Sequence, residues 1–446
     1  MHHNPYIPDD WFLSTLDEAA EIILGQSPSS DTYNNEENGL PFYQGKAEFG
    51  ELYPTPVKWC AAPKKVAQPD DILISVRAPV GPTNICQETS CIGRGLAAIR
   101  PLDNVLNKFV LYYLRFIENK WDKKSTGTTF KAITGSVLRN QEILIPPLSE
   151  QKAIVAKIEE LFSQLDAGVG GLKRAQTALK RYRASVLKAA FEGRLVPQNQ
   201  DDESPRTLLT NFLESNTLEQ RIPRKIKPIE NISEIVNLPH IPEKWIWIGL
   251  SELPLDISDG NYAGNYPKSS DFVSKGVPFI RAVNIYDNYS LDLKDTRYIT
   301  TELHRKLQRG HLLEHDILIV TRGSIGKLAI VSKSFIDFNI NAQLVRINTG
   351  NLFFPKFFLY VLASDHCQRQ ISHLSTGTTL KQLPIRQLRK IRVPLPPYRE
   401  QIRIADEVDK YLSIIIQVEQ LIHKQITWSN NLRQAILAEA FKGGLA

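Results

Sequence analysis

Long apolar runs are missing from these 446 residues. None approaches the roughly 20 residues that a helix needs to cross a bilayer, so no membrane partner is expected. The opening stretch MHHNPYIPDD is polar and holds no apolar core of a secretory signal, which points to the cytoplasm. Cysteine is scarce: Cys60, Cys86, Cys91 and Cys367 form no CxxC pair and no metal-ligand spacing. Free thiols in a reducing compartment fit that usage. Histidines are few and scattered, without an HExxH pattern. His311 and His315 stand four apart, a spacing zinc could use, but beside Glu314 and Asp316 they read as surface residues. No metal site is expected. The Gly-Lys pair of TRGSIGK lacks the spacing of a P-loop. No Ser-His-Asp set and no nuclease carboxylate cluster is identifiable, so no catalytic residue is assigned.

What is present is ordinary in bulk and unusual in order. The chain is 42% hydrophobic and 23% charged, with a formal net charge of +6, and its length allows two to four domains. The mild basic excess is compatible with nucleic acid without requiring it. Six cations and no acid lie between Lys173 and Lys188: Lys173, Arg174, Lys180, Arg181, Arg183 and Lys188. A solvated helix face accounts for such a run equally well.

The chain also repeats itself. Ser125 to Leu195 begins STGTTFK, passes through PPLSEQ and ends AFEGRL. Ser375 to Leu445 begins STGTTLK, passes through PPYREQ and ends AFKGGL, at a constant offset of 250 with 21 identities over 71 ungapped positions. That is a duplication. Upstream the match is looser: Trp11 answers Trp245, and DILIS at Asp71 answers DILIV at Asp316. Surface loops tolerate insertions, whereas a packed helix seam does not tolerate a change of register. Each half therefore reads as a variable domain followed by a rigid helix.

The rear segments carry heptads. Ile158, Leu165, Leu172, Leu179 and Val186 recur every seven residues, with Ile154, Leu161, Ala175 and Tyr182 at the second seam position. The same frame in the second copy reads Val408, Ile415, Ile422 and Ile436, with Ile404, Tyr411, Val418 and Leu432; Gln425, Ser429 and Glu439 interrupt it. Gly168, Gly170 and Gly171 sit mid-helix, where each costs about 1 kcal/mol against Ala; they allow either a close approach of backbones or a kink. Pro146-Pro147 and Pro396-Pro397 hold the entering chain extended. Glu150 and Glu400 complement the helix dipole in the first turn, and Gly193 and Gly443 close the helices as C′ residues.

The front domains read as mixed α/β. Short strands are expected at Ile72 to Val76, Leu96 to Ile99, Ile143 to Ile145, Ile317 to Val320, Leu328 to Val331, Leu344 to Ile347 and Ile391 to Val393. Amphipathic helices are expected at Asn107 to Asn119 and Lys356 to Ile371. A polar, proline-bearing stretch forms a linker with one short helix near Thr207 to Leu213. The division is 1–147, 148–195, 196–242, 243–396 and 397–446: domain, helix, linker, domain, helix.

With PPLSEQ and PPYREQ each opening a heptad helix that ends in AFxGxL, the chain resembles the specificity (S) subunit of type I restriction-modification systems. The likeness covers the whole length and includes GQSP…PFYQGKAEFG and ISVRAPVG of the first domain. The resemblance implies an α/β (α+β) fold of two tandem target recognition domains, each followed by a long helix. The two helices would form an antiparallel coiled coil with pseudo-two-fold symmetry. It implies a non-catalytic protein that reads two different half-sites of double-stranded DNA and recruits two methyltransferase (M) subunits, with restriction (R) subunits joining. No cofactor is expected in this chain; S-adenosylmethionine and ATP would bind the partner subunits.

Groove edges are read by Arg or Lys at guanine and Asn or Gln at adenine, and phosphates are held by Lys, Arg, Ser, Thr and backbone amides. The candidates are Gln44, Lys46, Arg77 and Arg94 in the first domain. In the second they are Arg281, Asn284, Arg322, Lys327, Asn341 and Gln343. Thr128, Thr129 and Lys131, with Thr378, Thr379 and Lys381, look like phosphate clamps. Two other readings remain. One is a self-contained methyltransferase or nuclease; Asn4-Pro5-Tyr6 is similar to part of the N6-adenine methyltransferase tetrad, but lacks its second proline and any glycine-rich cofactor loop. The other is a coiled-coil scaffold with no DNA role.

Overall fold

The computed structural model describes residues 10–124, 132–218, 238–261, 266–377 and 380–444. The chain forms two compact units, and neither ends where a helix begins. One is Met1–Arg174 together with Leu421–Ala446; the other is Ala175–Gln420. Each thus holds one front domain, the start of the long helix that follows it, and the end of the other long helix.

In the first unit a continuous apolar strand, Ile72–Ser75, is buried on both faces. Side chains alternate across a sheet. Ile72 and Ile74 therefore join the main core with Ala97 and Ile99, while Leu73 joins Leu96 and Ala98 in a second core beneath Tyr43 and Ile92. The antiparallel sheet runs Ala20–Leu24, Leu96–Pro101, Ile72–Ser75, Thr83–Ile85. A five-stranded sheet of very short strands covers its far side, with Phe42 pairing parallel to Cys91. Phe12–Thr15 and Glu142–Ile145 make a separate ribbon. The helix Asn107–Phe116 packs its buried face, Phe109 to Leu114, on the main core.

The second unit repeats this order. Its sheet runs Asp256–Asp259, Leu344–Asn348, Ile317–Val320, Leu328–Ile330. Ile317 and Ile319 face one core and Leu318 and Val320 another. A four-stranded sheet pairs Phe279 parallel to Asn339, and Ile246–Gly249 with Arg392–Leu395 forms the ribbon. All four cysteines are free and buried; burial pushes the Cys91 thiol up to about 12.

The strands expected from sequence are present to within a residue or two, but both expected front helices are broken. Asn107–Phe116 gives way at Ile117 to Glu118–Lys124. Pro355–Ala363 ends at Ser364, whose Oγ accepts the Cys367 N–H and caps a new helix, Asp365–Leu374. Serine competes for backbone donors in this way and favours caps over helix interiors. The linker helix is longer than expected, Pro205–Leu218, and it buries Phe212 in the second unit's core.

The two long helices are Leu148–Phe191 and Tyr398–Ala440, about 65 Å each at 1.5 Å per residue. They run antiparallel within each unit. In the first, Asp166 pairs with Arg433, whose guanidinium also lies 4.8 Å from the Phe162 ring centroid. In the second, Arg183 pairs with Glu419 at 3.3 Å and Tyr182 meets Tyr411 edge-on at 6.1 Å. Of the expected seam, Ile158, Val186, Val408, Ile415 and Ile422 are buried, while Leu165, Leu172, Leu179 and Ile436 are half-buried. Ala175 and Tyr182 are exposed, whereas Phe162, Leu412 and Leu437, outside that frame, are buried. The helix tips drift off the heptad because they leave the seam and enter domain cores. Phe441 lies 5.2 Å from Phe109 and stacks on Phe116 at 5.6 Å. Phe191, in the other unit, lies 5.6 Å from Trp247. The helix runs unbroken through Gly168, Gly170 and Gly171, and a Cβ at Gly168 would meet nothing within 4 Å. No close backbone approach explains these glycines.

The PPxxEQ motifs are joints. Glu150 accepts the Trp11 indole N–H at 2.9 Å, and Glu400 accepts that of Trp245 at 3.1 Å. Gln151 accepts the Leu106 N–H at 2.7 Å and donates to the Asn104 and Pro146 carbonyls at 3.0 and 2.9 Å. Gln401 does the same with Phe354, Leu352 and Pro396. Gly193 and Gly443 both adopt positive φ, 68° and 82°, the conformation in which glycine closes a helix.

Candidate nucleic-acid interface

In each unit a ladder of backbone hydrogen bonds gathers loops from distant parts of the chain. In the first, the Gly25 N–H donates to Leu96 O, Gln26 N–H to Ile92 O, Gly93 N–H to Tyr43 O and Val76 N–H to Gly95 O. The Ile133 N–H donates to Val76 O, and Arg77 bridges Ala132. In the second, Gly260 donates to Leu344 O, Asn341 to Ile280 O, Thr321 to Gln343 O and Leu383 to Thr321 O, and Arg322 bridges Gln382. The crossings are tight. A Cβ on Gly25 would sit 2.2 Å from Gly93 O, and one on Gly260 2.3 Å from Ile340 O, so only glycine lets these loops cross.

The ladder brings most of the candidates together. Arg77 lies on a rung, Gln44 and Arg94 follow the paired Tyr43 and Gly93 by one residue, and all three are exposed, as is Lys46 two residues beyond Gln44. Arg94 is fixed through its own N–H, which donates to Ser27 Oγ at 3.3 Å. In the second unit Arg281, Arg322, Asn341, Gln343 and Lys381 occupy the corresponding loops, with Arg322, Gln343 and Lys381 exposed. Lys46, Arg77, Arg94, Arg322 and Lys381 make no salt bridge among the described residues. Such cations are free to meet phosphate or base edges. Lys327, in contrast, pairs with Asp287 at 3.3 Å.

Asn284 is not available to read a base. It is fully buried; its amide nitrogen donates to Asp292 O, Lys294 O and Thr296 Oγ1, and its Oδ1 accepts the Arg281 N–H. It shapes the loop that carries Arg281, whose own guanidinium donates to Asp295 O at 2.6 Å. Asn341 is also buried, and its amide donates to Gln343 Oε1 at 3.0 Å, so it positions Gln343. The sequence could not separate these two asparagines from exposed ones, because both stand in the same polar loops. Thr128, Thr129, Lys131, Thr378 and Thr379 lie outside the described residues.

Arg309 was missed. A groove of about 360 Å³ is lined by Asp259, Arg309, Thr321, Arg322, Gln382 and Leu383. The Arg309 carbonyl accepts from Asn261 and Asn339, and its guanidinium pairs with Asp259 at 3.1 Å. Nothing in the local pattern QRGH marks it, since tertiary pairing alone carries it to the groove.

The second long helix keeps three large apolar residues exposed at intervals of seven: Ile414, Leu421 and Trp428, at 57%, 58% and 58%. The first helix has Gln164, Gly171 and Ala178 at the matching positions, so this feature is not duplicated. Within the basic run, Arg183 and Lys188 form ion pairs with Glu419 and Glu192.

Among the described residues no helix is long and apolar enough to cross a membrane. The family model for the type I restriction modification DNA specificity domain matches residues 8–169 and 256–427. A putative type I restriction enzyme MjaX specificity subunit of Methanocaldococcus jannaschii is 49% identical over 192 residues, 42% of this chain and 44% of that protein. The EcoBI specificity subunit of Escherichia coli is 26% identical over 441 residues, 98% of this chain and 87% of that one. Among solved structures, a chain from a study of type I R-M complex assembly and conformational transition superposes with a TM-score of 0.66 at 19% identity, covering 98% of this chain and 99% of that one. The HsdS subunit of Thermoanaerobacter tengcongensis gives 0.53 at 20% identity over the whole of both chains. The family match embraces both repeats, and the chain belongs to the type I restriction-modification DNA specificity family, a family of non-catalytic DNA-recognition subunits.

Proposed function

We propose that this chain reads a split double-stranded DNA site, one half-site per unit, on behalf of methyltransferase and restriction subunits that carry the chemistry. The observation that supports this most is the doubled ladder, which sets Arg77 and Arg94 in one unit and Arg322 in the other, all exposed and without a salt bridge among the described residues, on loops of matching architecture. The two clusters differ in side chains, so the half-sites differ in sequence. Gln44, Lys46, Arg77 and Arg94 contact one half-site; Arg281, Arg322, Gln343 and Lys381 contact the other, with Thr128, Thr129, Lys131, Thr378 and Thr379 on the phosphates. The helices set the gap between them, and two methyltransferase subunits dock on the protein. The complex works in the cytoplasm, with S-adenosylmethionine and ATP bound by the partners.

Methylome sequencing of a host with and without the gene tests this. A two-part methylated motif appears only with the gene, and Arg322→Ala relaxes or abolishes one half of it while sparing the other. A motif indifferent to the gene, or an Arg322→Ala effect on both halves alike, overturns the assignment. Binding should also weaken as salt rises, because each neutralised phosphate releases counterions.

A further inference from the structure

The second unit holds a cluster of two histidines and an aspartate that the proposed DNA contacts do not include. The short helix Thr301–Lys306 places His304, 5% exposed, against the strand Asn339–Ile340. Beside it, residues 310–312 pair with 337–340: the Ile340 N–H donates to Gly310 O, Leu312 to Phe338 O and Asp337 to Leu312 O. His304, His311 and Asp337 then present ligand atoms within 4.8 Å of one another. His315, which lies four residues from His311, takes no part.

The hydrogen bonds decide where the imidazole protons sit. The Asn339 amide nitrogen donates to Arg309 O at 3.2 Å, so its Oδ1 is the atom that faces His304 Nδ1, at 2.5 Å. An amide oxygen only accepts, and His304 Nδ1 therefore carries the proton. Leu307 O lies 2.7 Å from His311 Nε2, which carries its proton for the same reason. In the neutral rings the other two nitrogens are bare lone pairs. Both point at the Asp337 carboxylate: His304 Nε2 is 3.3 Å from Oδ2 and His311 Nδ1 is 3.2 Å from Oδ1. That convergence needs a positive charge between the groups, which either an imidazole proton or a metal cation supplies.

We infer that His304, His311 and Asp337 bind a divalent zinc ion. Metal bonds of roughly 2.0–2.1 Å in a tetrahedron set neighbouring ligand atoms about 3.3 Å apart, matching the two His–Asp separations, while the two imidazole nitrogens lie within 4.8 Å of each other. The two edges end on different oxygens of one carboxylate, so a small rotation of Asp337 completes a monodentate site. Each histidine is held as ligating histidines are, its far N–H on an oxygen that sets tautomer and ring plane. Two imidazoles, one carboxylate and an open fourth position make a zinc donor set. Asp337 is 71% exposed in its side chain, which leaves the fourth position open to water. The ion clips the helix to the paired segments 310–312 and 337–340, the second of which runs straight into Asn341 and Gln343. This reading makes no use of DNA recognition and stands apart from it.

The test is zinc chloride titrated calorimetrically into the full-length chain after chelator treatment and desalting, with cobalt(II) absorption as a second readout. One equivalent binds, cobalt gives the visible bands of a four-coordinate site, and the melting temperature rises on zinc addition. His311→Ala and Asp337→Ala each weaken binding by about tenfold or more, the scale on which even supporting partners of a site act. His315→Ala binds as the parent does. Both ligand variants are partly or largely exposed, and zinc-free circular dichroism matching the parent establishes that they are folded. Absence of saturable one-equivalent binding, parent-like affinity in folded His311→Ala, or equal loss in His315→Ala overturns the site.

Discussion

At the scale of single residues, Gln151 and Gln401 carry more than their exposed-looking sequence context suggests. Gln401 is fully buried and satisfies one backbone donor and two backbone acceptors. Losing a buried partner costs roughly 1–3 kcal/mol per orphaned group. Gln401→Ala should therefore destabilise the second unit by about 2–4 kcal/mol in a urea titration. Gln401→Glu should cost nearly as much, because a carboxylate cannot donate to Leu352 O and Pro396 O. A loss below the resolution of the titration would count against this role. Glu400 allows a pH test. Burial raises its carboxyl above the ordinary 4.5, against the hydrogen bonds from Trp245 and Gln198 that lower it. The folded chain then keeps this proton to higher pH than the unfolded chain. Its contribution to stability is fully present below 4.5 and declines as pH rises through the folded value. Glu400→Gln should remove that decline, seen as a difference between parent and variant melts collected upward from about pH 4.

At the scale of elements, the long helices are better built than their heptads suggest. Gly168, Gly170 and Gly171 face either open space or the far end of the Arg174 side chain. Each Gly→Ala change should stabilise the protein by up to about 1 kcal/mol, and the triple variant should melt higher. A lower melting temperature would show that something presses on this stretch after all. Leu421 and Trp428 make a different prediction. Both are exposed on the second helix, in a row with Ile414, and a row of large apolar side chains on one helix face is a candidate contact patch. Under the proposed function, this helix face receives a methyltransferase subunit, and Trp428→Glu should leave the chain's melting unchanged while weakening co-purification with that subunit. Unchanged co-purification would remove this helix face from the docking proposal.

At the scale of the whole molecule, the chain is interwoven: each unit takes the end of its partner's helix into its own core, through Phe441 in one and Phe191 in the other. Truncation before Leu437 should therefore unfold the first unit, although it removes residues far along the chain from that domain; proteolysis resistance of residues 10–124 would report it. Under the proposed function, four residues added to each helix lengthen it by about 6 Å. The methylated motif should keep both half-sites and widen its gap by one or two base pairs. An unaltered gap in the methylome would reject the helices as a measuring device.

The sequence alone determined the duplication, the heptad helices and the apolar strands, because those signals are periodic and local: DILIS and DILIV are buried on both faces wherever the chain carries them. It also marked PPxxEQ and AFxGxL as special without saying why. Only the tertiary structure decided that these motifs are joints, Trp11 on Glu150 and Phe441 on Phe109, since each partner lies more than 100 residues away. The same holds for Asn284, which a polar loop context presents as a reader and which burial turns into a brace. It holds again for His311 and Asp337, joined by backbone pairing rather than spacing. Periodicity is written into neighbouring residues; burial and convergence arise only when distant segments meet.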